Sequence, residues 1–436
     1  MTYYFIGIKG SGMSTLANII YDLGNKVIGY DDSEGYKFTM KGLVERGIPI
    51  HHGDDYPELE KGTIVTYTAA IDLDHHEVKR VKALGYEVIP YKELMGRLSM
   101  MFKTIGVCGT HGKTTTSLMI YDILSKAYGC SCFVGDGTGK VDKKSDLLVM
   151  ESCEFNKHFL SYHPNDVVLT NIELDHTETY PDIEAMIKAF QEFIDKRKNY
   201  LVLCGDDTNI RKLKLNNGYY YGFNDNNRIV IKNKIVENNT TCFDLYIDNN
   251  YFDQYELSLF GDHMILDATA AITIGYLYKV NKDIIKEVLE SFIPANRRFN
   301  EEVVRDNIIV DDYAHHPTEI RVTYDSAHQK YHDKKIIGVF LPNTYSRTEA
   351  LFDDFVKSLS LFDKAYVMDI SCDRERAEDY PNISSERLVE KIPNSEMISL
   401  DTIDKLDNYH NCVICFMSCA NISKMIDKYK DMKNKE

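Results

Sequence analysis

The sequence predicts an α/β protein of three domains built on mostly parallel sheets. Three observations lead there. Apolar runs of strand length alternate with segments of helical apolar spacing along most of the chain, the pattern that lays helices on the faces of a parallel sheet. Two of the strands run into glycine-rich turns that open helices, at residues 7–14 and 106–116. The length of 436 residues exceeds what one core ordinarily holds.

The elements follow in order. Residues 2–8 (Tyr3, Tyr4, Phe5, Ile6, Ile8) read as a strand, and Gly7-Ile-Lys-Gly-Ser-Gly-Met-Ser14 turns into a helix ending near Asp22. A second strand, 26–30, ends at Asp31. This is a βαβ nucleotide-binding opening, with an acidic residue placed to meet a ribose or base, although G-x-x-G-x-G departs from the dinucleotide spacing G-x-G-x-x-G. Strands at 63–67 and 87–90 complete a first domain, expected over 1–99. Met100, Met101, Phe102, Ile105 and Val107 then read as a buried strand, followed by Gly106-Val-Cys-Gly-Thr-His-Gly-Lys-Thr-Thr-Thr116 and a helix through 127. A strand, a glycine turn and Lys-Thr opening a helix can hold a triphosphate: backbone N–H groups face the anion, Lys113 supplies charge and the Thr114 hydroxyl can ligate Mg²⁺. The strict G-x-x-x-x-G-K-[ST] pattern fails at Val107.

Strands at 146–150, 166–170 and 200–204 and a helix at 264–279 continue the second domain, expected over 100–296, with a small antiparallel insert at 216–253. Phe292-Ile-Pro-Ala-Asn296 marks the next boundary. The third domain, 297–436, alternates strands at 308–310, 336–340, 365–368 and 413–417 with helices at 317–330 and 349–361. A final helix and a frayed tail from Lys428 close the chain.

A formal charge of −16 argues against nucleic-acid or membrane-surface partners, since no large basic field exists to attract polyanions. Anionic substrates need local positive sites, which Lys113, Arg297, Arg298 and Arg347 can supply. There is neither an 18-residue apolar window nor a basic segment before an apolar one at the N-terminus, so a cytoplasmic location without membrane insertion is expected. Ten scattered cysteines suit reduced thiols. Cys412-Val-Ile-Cys415 lies within a buried-strand pattern and is not expected to be a metal or redox site.

Strand ends carry the remaining chemistry. Glu151 follows Leu147–Met150, and Asp175-His176 follows Leu169–Ile172; with Thr114 they can surround Mg²⁺ beside a γ-phosphate. Arg297-Arg298-Phe299, Asp311-Asp312-Tyr313-Ala-His315-His316-Pro-Thr-Glu319 and Leu341–Thr348, which contains Arg347, can meet a migrating phosphoryl group and orient a small carboxylate-bearing substrate. His51-His52 and His75-His76 have no such setting and are read as surface residues.

Gly-Ile-Lys-Gly-Ser-Gly-Met-Ser at 7–14, Gly-Thr-His-Gly-Lys-Thr-Thr at 109–115, Thr-Asn-Ile-Glu-Leu-Asp-His at 170–176, Asp-Asp-Tyr-Ala-His-His-Pro-Thr-Glu at 311–319 and Thr-Tyr-Ser-Arg-Thr at 344–348 together resemble the Mur ligases, in order and over nearly the whole chain. The resemblance implies a Rossmann-like N-terminal domain, a central P-loop ATPase domain and a Rossmann-like C-terminal domain. It implies an ATP- and Mg²⁺-dependent carboxylate–amine ligase of peptidoglycan precursor synthesis, joining L-alanine to the lactyl carboxylate of UDP-N-acetylmuramate. Gly10, Ser11, Gly12, Met13 and Ser14 would face the diphosphate and Asp31 the uridine. Gly109, Thr110, His111, Gly112, Lys113, Thr114 and Thr115, with His263, Asp267, Arg298 and Asp312, would bind ATP. Thr114, Glu151 and His176 would hold Mg²⁺, and Tyr313, His315 and Arg347 the amino acid. Lys113, His176, Arg298, His315 and Arg347 would be the catalytic set, in a monomer or weak homodimer.

The chain departs from the family pattern in places. His263-Met264-Ile-Leu-Asp267 replaces His-Asn-x-x-Asn, Ser418-Cys419-Ala420-Asn421-Ile422 replaces a glycine-containing stretch, Tyr30 stands where Ser is common and Asn343 where His is usual. A paralogous ligase acting on another amino acid or peptide, or a non-catalytic nucleotide-sugar binding protein, are the alternatives.

Overall fold

A computed structural model describes residues 1–135, 137–237, 240–372 and 375–434. Three sheets form in sequence order. The first has five parallel strands, in the order Ile50–His51, Lys26–Tyr30, Thr2–Ile6, Ile64–Tyr67, Glu87–Pro90. The central sheet has ten strands, and the third has six, Asn300–Val304 running antiparallel at one edge and the other five parallel. This is the expected α/β class of mostly parallel sheets.

The phosphate-loop strand, Lys103–Cys108, lies between Leu147–Glu151 and Asp166–Leu169 in the middle of the central sheet. Its neighbours therefore deliver Glu151 and the 170–176 segment to the same C-terminal edge, where open α/β sheets bind ligands. The helix Lys113–Tyr128 packs against Asp262–Leu277, which is buried along most of its length. That burial explains why Met264–Gly275 is apolar nearly all round.

One apolar core runs continuously from the first sheet into the central one, from Phe5 and Leu16 to Leu124 and Phe292. The contact is close: a side chain at Gly139 would come within 2.8 Å of the Thr15 methyl. The third sheet buries its two faces in separate clusters, around Phe416 and around Phe340.

Three local expectations are corrected. Met100 ends the helix Tyr91–Met100, and Met100 and Met101 are exposed, so the strand starts only at Lys103. Residues 216–253 do hold antiparallel strands, Ile229–Glu237, Thr240–Ile247 and Asn250–Leu257, but these extend the central sheet, which Tyr219–Gly222 and Ile229–Glu237 join in parallel. Residues 238 and 239 of that stretch lie outside the described residues. The tail is helical over Ser423–Asn434, because Met425, Ile426 and Tyr429 bury one face of it; residues 435 and 436 lie outside the description.

Candidate active site

The loop after Cys108 works only with glycine. Gly109 (φ +139°) and Gly112 (φ +79°) hold backbone conformations that L side chains rarely adopt. A Cβ there would meet Thr170 Oγ1 at 2.1 Å and Asp267 Oδ1 at 2.6 Å. Lys113 Nζ donates to Gly109 O (2.6 Å), Thr110 O (2.8 Å) and Glu154 Oε1 (3.1 Å). Burial works against its charge, but Glu154 above all holds its pKa above the ordinary lysine value. Thr114 Oγ1 donates to the Glu151 carboxylate at 3.1 and 3.2 Å, and Gly135 N–H donates to Glu151 Oε2 at 2.8 Å. Burial raises the Glu151 pKa. His176, at φ +52°, places its ring 3.8 Å from both Glu154 and Asp175 and 3.5 Å from Glu178. Burial disfavours the charged ring, yet these carboxylates raise its pKa. A hydroxyl and a carboxylate in contact offer oxygen ligands that fit a hard divalent cation completed by phosphate oxygens and water, while the His176 ring is set among Glu154, Asp175 and Glu178.

Beside this loop a cavity of about 560 Å³ opens between the central and third sheets. His111, Gly112, Thr115, His263, Asp267, Arg298 and Asp312 line it, so seven of the residues expected around the nucleotide share one wall system. Thr116 donates to Asp267 Oδ1 at 2.9 Å. Burial pushes Asp267 up to about 7 and Asp312 up to about 6, with Arg298 opposing both, while burial takes His263 down to about 4. Asp312 accepts from Phe299 N–H and Ala314 N–H. The guanidinium groups of Arg298 and Arg297 lie 5.1 and 5.4 Å from the Tyr313 ring centre.

The third sheet is joined to the central one by charge. His111 bridges Glu173 Oε2 (3.0 Å) and Glu319 Oε1 (3.1 Å). Burial alone would keep the ring neutral, but Glu319 and Glu173 hold its pKa up at about 9. Glu319 also caps its own helix, accepting from His315 N–H and His316 N–H, and Thr318 donates to Glu173 at 2.6 Å. Arg347 is buried with its guanidinium on Asp175 (2.8 and 3.3 Å), so the group expected to face an amino acid is engaged by the residue next to His176.

In the N-terminal loop, Ser11 Oγ donates to Gly135 O at 2.6 Å and Ser14 Oγ to Ser11 O at 2.9 Å. A Cβ on Gly12 would press within 2.6 Å of the Tyr91 hydroxyl. Met13 and Ser14 are buried, leaving Gly10, Ser11 and Gly12 as the partly exposed part of the turn. Asp31 accepts Lys9 N–H and Ser33 N–H on its two oxygens, so it ties two loops together. Lys9, which the sequence reading left without a role, is buried and donates through Nζ to Ser33 O and Gly35 O. His76 is exposed and His75 half-buried, as the surface reading expects, but both have partners. His75 caps a helix and lies 3.0 Å from Asp32, and His76 Nε2 is 2.9 Å from the Tyr30 hydroxyl. An acidic pair at 31–32 next to a strand-end tyrosine was the signal available for that cluster.

Glu154, Glu173 and Glu319 were not singled out as site residues from sequence. Glu154 and Glu173 lie three positions, and Glu319 four, from a residue that was, which is the one local hint they carry.

A glycine loop of phosphate-binding form at the end of a parallel strand, a second glycine turn docked beside it, and a third sheet closing on the same cavity with arginine and carboxylates have the architecture of a three-domain α/β enzyme. Three family models cover the chain: "Mur ligase family, catalytic domain" over residues 2–103, "Mur ligase middle domain" over 107–275 and "Mur ligase, glutamate ligase domain" over 297–412. The chain is 40% identical over 431 residues to a UDP-N-acetylmuramate–L-alanine ligase of Pediococcus pentosaceus, covering 98% of both chains. It is 40% identical over 432 residues to one of Lactiplantibacillus plantarum, again covering 98% of both. A crystal structure of UDP-N-acetylmuramate–alanine ligase from Thermotoga maritima superposes over 100% of this chain and 99% of its own, with a TM-score of 0.78 and 22% identity. The chain belongs to the Mur ligase family and is an ATP-dependent ligase. Among the described residues no helix is long and apolar enough to cross a membrane.

Proposed function

We propose that this chain joins L-alanine to the lactyl carboxylate of UDP-N-acetylmuramate, in peptidoglycan precursor synthesis in the cytoplasm, as a monomer or weak homodimer. The observation that carries this reading is 40% identity across 98% of the chain to two ligases named for that reaction. The working units are taken as 1–99 for the sugar nucleotide, 100–296 for ATP and 297–436 as the closing domain.

The backbone of 109–115 and Lys113 receive the triphosphate of ATP, and Asp267, His263 and Asp312 surround its nucleoside. Thr114, Glu151 and His176 would hold Mg²⁺, which when bound neutralises charge on the phosphate oxygens. Gly10–Ser14 hold the diphosphate of UDP-N-acetylmuramate, with Asp31 fixing the loop on the uridine side. A carboxylate oxygen of the sugar nucleotide attacks the γ-phosphorus; the bond to the bridging oxygen breaks, ADP leaves and an acyl phosphate remains. Lys113 and Arg298 stabilise the charge on the moving phosphoryl group. The free amine of L-alanine then attacks the acyl carbon through a tetrahedral intermediate, losing a proton and expelling inorganic phosphate. Tyr313, His315 and Arg347 orient that amine and its carboxylate, and the closed third sheet excludes the water that would hydrolyse the acyl phosphate.

Phosphate release with ATP, Mg²⁺, UDP-N-acetylmuramate and each of the twenty amino acids in turn tests the reading. Stimulation chiefly by L-alanine, abolished in Lys113→Ala, is expected. Stimulation by a different amine alone would favour a paralogous ligase, the reading to which Met264, Asp267 and Ser418-Cys419-Ala420 point. Absence of any stimulated turnover by the folded protein would leave a nucleotide-sugar binding role.

A further inference from the structure

Glu154 is a buried acid that the proposed reaction does not use. Its side chain is 1% exposed. Oε1 accepts from Lys113 Nζ, and Oε2 has no hydrogen-bond partner among the described residues. The nearest other cationic group is the His176 ring, whose Nε2 is 3.8 Å from Oε1. The Tyr180 hydroxyl, 2.6 Å from the Glu154 backbone carbonyl, fixes the main chain but does not reach the carboxylate.

The consequence lies with Lys113. An ammonium has three donors, and here all three are taken, by Gly109 O, Thr110 O and Glu154 Oε1. None remains for a phosphate, so an incoming nucleotide must draw the ammonium off at least one acceptor. Drawing it off Glu154 removes the carboxylate's hydrogen-bonded counter-charge and leaves only the His176 ring, 3.8 Å away, a costly way to break a buried ion pair. That cost falls if a second cation arrives together with the nucleotide. The ligand set of Thr114, Glu151 and His176 would put that cation beside the same carboxylate. We propose that Glu154 makes nucleotide binding conditional on the divalent cation, by retaining the Lys113 ammonium until another positive charge replaces it. This rests on the ATP-site reading above and adds a positioning residue to it. In linkage language, Glu154 supplies part of the coupling free energy between metal and nucleotide, and that coupling is reciprocal.

The test is calorimetric titration of the full chain with ADP, in Mg²⁺ and in EDTA, for wild type, Glu154→Gln and Glu154→Asp. The proposal expects Glu154→Gln to bind metal-free ADP at least tenfold more tightly than wild type. Its Mg²⁺–ADP affinity should move less than threefold, so the gain from adding metal shrinks. Glu154→Asp, whose shorter side chain reaches Lys113 less well, should fall between them and serves if the Gln variant does not fold. In a Lys113→Ala background the Glu154→Gln gain should vanish. A merely structural role would weaken binding in both conditions and cannot produce tighter metal-free binding. Unchanged metal dependence in the variants, with wild type binding Mg²⁺–ADP normally, overturns this inference alone. Failure of wild type to bind ADP in either condition overturns the ATP-site reading and this inference with it.

Discussion

Replacing His111 with glutamine removes a charge from the junction between the phosphate loop and the third sheet while keeping a side chain that can reach both carboxylates. In the native chain Glu173 and Glu319 lie 3.0 and 3.1 Å from the ring nitrogens and hold the pKa at about 9, against 6.5 for an unperturbed histidine. At about 1.4 kcal/mol per pH unit, that gap corresponds to about 3 kcal/mol. The sign follows from linkage: a histidine with a raised folded-state pKa contributes fully below pH 6.5, and the contribution drains away as pH rises through about 9. The chain has no tryptophan, so urea denaturation is followed by far-UV circular dichroism, at steps from pH 6 to pH 10. Wild type should hold its stability to about pH 6.5 and then lose about 3 kcal/mol by pH 10. His111→Gln should be weaker at pH 6 and should lose about 3 kcal/mol less than wild type between pH 6.5 and pH 10, because Glu173 and Glu319 face each other without the cation at every pH. An equal decline in both proteins would refute the assignment of the charge to His111.

Asp267→Asn should flatten the pH dependence of the ATP KM. With a pKa of about 7, Asp267 offers donor and acceptor below that pH but only acceptors above it; wild-type KM is expected to climb between pH 7 and 8.5 while the variant's stays level. Arg347→Ala should cost about 3–5 kcal/mol in urea denaturation, because it leaves the buried Asp175 carboxylate without its partner. Arg347→Lys, which loses the two-pronged contact, should recover only part of that.

How much of this was legible in the sequence depended on how local each feature is. The turn at 109–115 announced itself because strand, glycines, Lys113 and helix are consecutive, and the carboxylate ends of parallel strands needed only the alternation rule to be placed beside it. Met100–Phe102 misled because three apolar residues before a strand look the same whether they extend it or end a helix; burial decided, and Met100 and Met101 are exposed. Residues 216–253 looked detached because strands at the edge of a sheet keep one wet face and so carry polar side chains, yet their pairing joins them to the central sheet. The charge network escaped for a different reason. His111 meets partners 62 and 208 positions away and Arg347 meets one 172 away, and no spacing rule along a chain encodes such pairs. The histidines at 75 and 76 were discounted for lack of context that only the approach of the 31–32 loop provides.

Gly135 accepts a hydrogen bond from Ser11 on the N-terminal glycine turn and donates one to Glu151, which Thr114 also contacts. A side chain there would come within 3.1 to 3.2 Å of the Glu151 carboxylate. The two glycine turns are therefore not free to evolve as separate modules. A substitution that reshapes the 7–14 turn also shifts the Glu151 carboxylate next to the 109–115 turn. Gly135 is the joint through which a change in either turn reaches the other.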